Sequence, residues 1–220
     1  LMSIGKQDNG IGRKPESFDI SDNDNFIVGV DFNFQGVTAV LCNLNGKTVW
    51  ESHKTFDRKE KAYALEMLCS VIDEALQYLP DKMIFAIALA MQGTVDTKAG
   101  VSLHIGGIDG WENVPIAEIL GTKFGREVFI LHDPDCLLYA EKYFGAIGGN
   151  TTENAVLVRM DHDVGIGVMY RGNILTGGRG DACEIGTMVI PVKTGGVTVL
   201  KKIISTVALT KKYAKSGGTA

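Results

Sequence analysis

No apolar run in this sequence approaches the roughly 18 residues that a membrane span requires, so the chain is not expected to cross one. Its four cysteines, Cys42, Cys69, Cys136 and Cys183, are widely spaced, with no Cys-x-x-Cys pair. That excludes a dense disulfide framework and suits reduced core thiols in a cytosolic protein. Excess positive charge is missing too: 22 Lys and Arg stand against 26 Asp and Glu, for a net charge of -4. A chain of that sign has no general attraction to phosphate backbones, so any DNA contact must come from another segment. The opening residues lack the basic start and apolar stretch of a secretory signal. What is present is an ordinary globular composition, 45% hydrophobic and 22% charged over 220 residues. That length allows one large domain or two small ones.

Residues 1–25 hold Gly5, Gly10, Gly12 and Pro15 among Ser, Asp and Asn, and read as linker. Ile27–Asp31 and Val37–Leu44 are strand-like, and Asn45-Gly46 is a hairpin signal leading into Lys47–Glu51. From Lys59 to Leu79 the residues Leu65, Leu68, Ile72, Ala75, Leu76 and Leu79 recur at helical spacing, and Pro80 follows. Met83–Leu89 is an apolar run of strand length that suits a central strand covered on both faces. The order is therefore βββαβ. The Gly-rich segment 92–113 is longer than most connections and reads as a functional loop. Asn113 and Pro115 predict the cap and first turn of a short helix ending before Gly125. Val128–Leu131 predicts a strand, and Asp133-Pro134 opens a helix that Gly145 stops.

After Gly148-Gly149-Asn150 a second strand series begins: Ala155–Met160, Val164–Tyr170, then Asn173–Leu175 beyond the Arg171-Gly172 turn. It repeats the earlier order of apolar strand, Asp, polar residues, Gly and apolar strand, seen first over Asp31–Gly46 and again over Asp161–Gly172. Met188–Val192 and the helical spacing of Val199, Ile203, Val207 and Leu209 would complete a second βββα. Two lobes with a cleft between them follow from such a repeat, and clefts of that kind take ligands. The expected organisation is 1–25 linker, 26–150 first lobe and 151–220 the start of a second.

Ser102–Ile116 with Gly110-Trp111-Glu112-Asn113-Val114-Pro115, Val128–Glu141 around Asp133, and Gly177–Met188 with Glu184-Ile185-Gly186 together resemble three stretches of the ROK family of sugar kinases and transcriptional repressors. Gln92-Gly93-Thr94-Val95-Asp96 precedes the first of them as the family's Gly-containing turn does. The resemblance implies an actin-like, ribonuclease H-like ATPase fold of α/β class, with two lobes and the second incomplete. It further implies that Asp133 stands where the kinases keep a general base, and that Asn113 and Glu184 stand where a sugar is hydrogen-bonded. His132 and Asp135 replace residues that are usually Asn, and Gly107 replaces a sugar-contacting Asn.

The phosphate turns depart from the kinase pattern. Asn33-Phe34-Gln35 stands where a Gly-Gly-Thr turn would let backbone N–H groups approach phosphate, an approach that favours glycine. Asp161-His162-Asp163 stands where the family has Gly-Thr-Gly, and would set carboxylates against a nucleotide's phosphates. Two unit charges about 4 Å apart interact by about 4 kcal/mol at an effective dielectric of 20, here as repulsion. Thr187 takes the place of the family's zinc-binding His, and Met188–Val199 holds no cysteine, so structural zinc is not expected there. No other metal or cofactor is expected. The weaker reading is a cation held by His132, Asp161, His162 and Asp163, whose side chains are hard or borderline ligands.

Two further residue groups carry a bland and a sharp reading. Trp111 reads as packing before ligand stacking. Lys201, Lys202, Lys211, Lys212 and Lys215 read as a solvated helix face before a nucleic-acid patch. Asn9-Gly10-Ile11-Gly12-Arg13-Lys14-Pro15 looks like the link that follows a winged-helix domain in the family's repressors. The expectation is thus a cytoplasmic, dimeric regulator that binds a small sugar-like effector and reaches DNA through a winged-helix domain outside this chain. The alternative is an ATP-dependent sugar kinase with Asp133 as base.

Overall fold

The structure, a computed structural model, describes residues 2–6, 16–19, 24–147, 152–178, 182–193 and 195–217. Within the segment read as linker it has an antiparallel ribbon of β1 (Met2–Lys6) and β2 (Glu16–Asp19). The hairpin signal then acts as expected: β3 (Asn25–Asn33), β4 (Gly36–Asn43) and β5 (Thr48–Thr55) pair antiparallel in sequence. α1 (Lys61–Tyr78) crosses over to β6 (Met83–Met91), which lies parallel to β3. β7 (Thr94–Asp96), β8 (Val101–His104), β9 (Glu112–Val114) and α2 (Ile116–Phe124) follow, and then β10 (Glu127–His132). The sheet order is β10-β6-β3-β4-β5, so the apolar run of β6 is indeed flanked by a strand on each side.

Alternate residues of β3 (Phe26, Val28, Val30, Phe32) are buried, and α1 turns Leu68, Val71, Ile72 and Ala75 onto the sheet. Each of the larger of these side chains, Ala75 aside, contributes about 1.5–3 kcal/mol when removed from water. An exposed pair such as Lys82–Asp24 contributes under about 1 kcal/mol, so the core decides the architecture.

Segment 92–113 is not a plain loop. It holds three short strands, of which β8 and β9 pair antiparallel. Asn113 lies inside β9 with φ +48 and does not cap α2; Pro115 occupies that place. Trp111 is 1% exposed, donates from Nε1 to Ser102 Oγ at 2.9 Å and lies 5.0 Å from the Phe32 ring, so it packs.

The chain divides into two compact units, Leu1–Gly93 with Thr97–Ile130, and Thr94–Asp96 with Leu131–Ala220. The second holds α3 (Asp133–Phe144) and a sheet of β11 (Ala155–Met160), β12 (Val164–Tyr170) and β13 (Asn173–Ile174), against which α3 packs. A short 3-10 turn, Ile185–Thr187, leads into a ribbon of β14 (Val189–Pro191) and β15 (Val197–Val199). The helix expected from Val199 onward is two: α4 (Lys201–Ile204) and α5 (Thr206–Lys215). Ser205 separates them. Its backbone is extended, and its hydroxyl accepts from the Ala208 N–H, the capping role for which serine is suited.

Candidate functional site

β10 delivers His132 to the point where α3 starts, with Pro134 in the first turn. A helix N-terminus favours negative charge, and Asp133 and Asp135 sit there, both buried. From the loop before the 3-10 turn comes Glu184. His132 Nε2 is 3.5 Å from Asp133 Oδ1 and 3.4 Å from Glu184 Oε1. Three of the residues singled out in the sequence thus meet in the second unit.

These contacts exceed the 2.7–2.9 Å of a charge-assisted hydrogen bond, so they do little to hold a proton on the imidazole. Burial, and after it the nearby Arg159 cation, push His132 down to about 4. The ring is neutral near pH 7 and offers one donor and one acceptor. Asp135 is pushed up to about 6 by burial. Burial, with help from Asp135 and Glu184, also raises the Cys183 thiol.

Sequence reading missed Arg159. On β11 it shares the half-buried side with Ala155 and Leu157, while Val156, Val158 and Met160 face out. Its Nη1 donates to Asp133 Oδ2, and its Nη2 reaches Asp161 Oδ2 at 3.4 Å. The available signal was a lone cation in the otherwise apolar strand run Ala155–Met160, where only a partner makes burial tolerable.

Each of the two unusual turns uses two backbone N–H groups internally. In the first unit, Phe34 N–H donates to Gln92 Oε1 at 3.0 Å and Gln35 N–H to Asn33 Oδ1 at 2.9 Å. In the second unit, Asp161 N–H donates to the Asp163 carbonyl at 2.9 Å and Val164 N–H to Asp163 Oδ1 at 2.8 Å. Lys201 Nζ holds the other Asp163 oxygen at 3.2 Å, so this lysine belongs to the turn and not only to a solvated face. Asp161 and His162 are exposed. Among the described residues, no group of three or more His, Cys, Asp or Glu side chains is placed to hold a metal ion, and His132, Asp161, His162 and Asp163 do not converge as the cation reading required.

Gly107 and Asn113 belong to the first unit. Gly107 has φ +100, and a Cβ there would stand 3.0 Å from the Phe34 ring, so the bulk of Phe34 and the bareness of Gly107 are complementary. Asn113 is exposed, in a left-handed conformation that Asn tolerates better than most residues.

The ROK family profile matches residues 27–219. The chain belongs to the ROK family. Among curated relatives, it is 28% identical over 184 residues to a putative xylose repressor of Caldicellulosiruptor sp. (strain Rt8B.4), covering 81% of this chain and 45% of the relative. It is 28% identical over 189 residues to the N-acetylglucosamine repressor of Shigella flexneri, covering 84% of this chain and 46% of that protein. The chain spans about half the length of these curated relatives.

Two solved ROK structures share its fold. One is a ROK family transcriptional regulator described as a homolog of the E. coli MLC protein, with TM-score 0.77 and 20% identity over 90% of this chain and 52% of that one. The other is a ROK family glucokinase from Streptomyces griseus in complex with glucose and AMPPNP, with TM-score 0.73 and 21% identity over 87% and 60%. The fold is the actin-like ATPase fold of this family, built here around the β10-β6-β3-β4-β5 sheet. Among the described residues of this ROK chain, no helix is long and apolar enough to cross a membrane.

Proposed function

We propose that this chain is the sugar-sensing, non-catalytic effector domain of a ROK-type transcriptional regulator. The observation that carries the reading is the use of backbone N–H groups at the two turns: oxygens of Gln92, Asn33 and Asp163 already take those of Phe34, Gln35, Asp161 and Val164. A phosphate would have to displace those acceptors and then face Asp161 and Asp163. Moreover, Arg159 takes an oxygen of Asp133, the group that a kinase would need free as base. The names of the curated relatives, xylose and N-acetylglucosamine repressors, point the same way.

A small uncharged sugar suits His132, Asp133 and Glu184, because hydroxyls can donate to the two carboxylates and exchange hydrogen bonds with a neutral imidazole. Asn113 and Gly107 remain proposed ligand positions on the resemblance alone. Signalling requires that the sugar bind two conformations with different affinity. DNA would be read by a winged-helix domain outside this chain, in a cytoplasmic homodimer.

Thermal melting and calorimetry with xylose and N-acetylglucosamine test the proposal, alongside a coupled assay for sugar-dependent ATP consumption. The expected result is a sugar-dependent rise in melting temperature, about 2.7 kcal/mol of added stability at a hundred times Kd, with no ATP consumed. Sustained phosphorylation of either sugar would establish the alternative, a sugar kinase using Asp133 as base. Absence of any sugar effect would defeat the sensing role.

A further inference from the structure

We propose that Arg159 determines the ligand class of the His132–Asp133–Glu184 cluster: its guanidinium takes one oxygen of Asp133, so that the cluster receives an uncharged polyhydroxyl ligand and turns away cationic ones. This role for Arg159 rests on the sugar-sensing reading above, and its first ground is position. Arg159 is 28% exposed at its side chain and Asp133 8%, so this pair is shielded from water in a way that surface pairs are not. Shielded charges interact strongly, and each partner governs what else the other can bind.

Three groups compete for charge around the imidazole. Asp133 is paired with Arg159, Glu184 stands at the same Nε2 of His132 as Asp133 does, and Asp161 lies 3.4 Å from the second nitrogen of the guanidinium. With Arg159 on Oδ2, the Asp133 carboxylate has one oxygen fewer for a ligand and its charge is balanced, while Oδ1 stays beside His132 Nε2. A charge-balanced carboxylate, a neutral imidazole and a second carboxylate suit hydroxyl groups. Without Arg159, Asp133 would present both oxygens and an unbalanced negative charge next to Glu184, a setting that attracts ammonium groups.

The guanidinium also acts on His132. Burial lowers that ring's proton affinity first, and the Arg159 charge lowers it further. Asp133 and Asp135 on α3, Asp161 beyond β11, and Cys183 and Glu184 on the loop are the other titratable groups around this corner. A role for Arg159 limited to structural support would not tie ligand charge preference to the titration of this histidine.

The test compares wild type with Arg159→Gln and Arg159→Lys, using N-acetylglucosamine, xylose and glucosamine as probes. Because removal of Arg159 strands Asp133, the double variant Arg159→Gln/Asp133→Asn serves as the folded control. Calorimetry should show affinity for glucosamine relative to N-acetylglucosamine rising in Arg159→Gln by about tenfold, or about 1.4 kcal/mol. Arg159→Lys should keep the wild-type preference, and the double variant should lose the gain. NMR of the imidazole carbon-bound protons should show the His132 midpoint moving up in Arg159→Gln. Sugar binding with an unchanged preference, or an unmoved His132 midpoint, overturns the inference and leaves sugar sensing standing. A wild-type chain that binds none of the three sugars overturns the sensing reading, and the inference with it.

Discussion

His132 and Asp135 lie three residues apart at one helix end, and burial moves their proton affinities in opposite directions, to about 4 and about 6. Folded Asp135 holds its proton more tightly than the unfolded chain, whose carboxyl titrates near 3.8, so its contribution to stability falls as pH rises from about 4 to about 6. Folded His132 holds its proton less tightly than the unfolded value of 6.5, so its contribution rises over about 4 to 6.5. In the native chain the two slopes offset each other. Single substitutions should unmask them. Asp135→Asn should grow more stable with rising pH across that window, and His132→Gln less stable. Each change amounts to about 1–3 kcal/mol, since a tenfold difference in proton affinity between folded and unfolded chain corresponds to about 1.4 kcal/mol. Urea unfolding at half-unit pH steps reads both slopes, and matching flat profiles in the two variants would refute buried titration at this corner.

At the scale of elements, the seating of α3 on β12 depends on two bare positions. A Cβ on Gly167 would stand 2.7 Å from the Pro134 carbonyl oxygen, and one on Gly165 the same distance from the Pro134 ring. The first obstacle is backbone, which cannot swing aside, so Gly167→Ala should cost about 1–3 kcal/mol as overpacking does. It should also weaken sugar binding by displacing the residues beside Pro134. Gly178→Ala, where nothing lies within 4 Å, is the matched control, and equal melting temperatures for the two variants would contradict the close approach. The strand–helix order was legible because strong local signals agreed: Asn45-Gly46 between strands, helical spacing before Pro80, and the apolar run of β6. Asn113 misled because Asn before Val-Pro also suits a helix start, and spacing carries no record of a positive φ. Ser205 was hidden by a helical period that runs straight through it. His132, Asp133 and Glu184 are singled out in the sequence only through the family resemblance of the stretches that hold them. Arg159 stands out locally as a lone cation in an apolar strand, but its partner lies 26 residues away and nothing local names it.

Over the whole molecule, burial is unevenly shared. Among the described residues, the largest fully buried side chains, from Phe32 and Leu41 through Leu68, Ile87 and Trp111 to Ile130, all belong to the first unit. The second unit instead exposes Val156, Val158, Met160 and Tyr170 on its sheet and Val189 and Val197 on its ribbon. Since buried apolar area is the main favourable term in folding, the second unit has the smaller margin against its own conformational entropy. It also carries His132, Asp133, Arg159 and Glu184, the cluster assigned here to the ligand. Regions that respond to ligands are drawn from the less stable end of a structure. Two unfolding steps are therefore expected, with β11 and β12 amides exchanging faster than those of β3, β4 and β6. A sugar that binds only the folded second unit must raise the lower step, by about 2.7 kcal/mol at a hundred times Kd, and leave the upper one in place. Hydrogen exchange followed by mass spectrometry, with and without N-acetylglucosamine, separates the two. Uniform protection gained across both units would mean that the ligand stabilises the chain as one cooperative body, and would remove the second unit as the seat of the response.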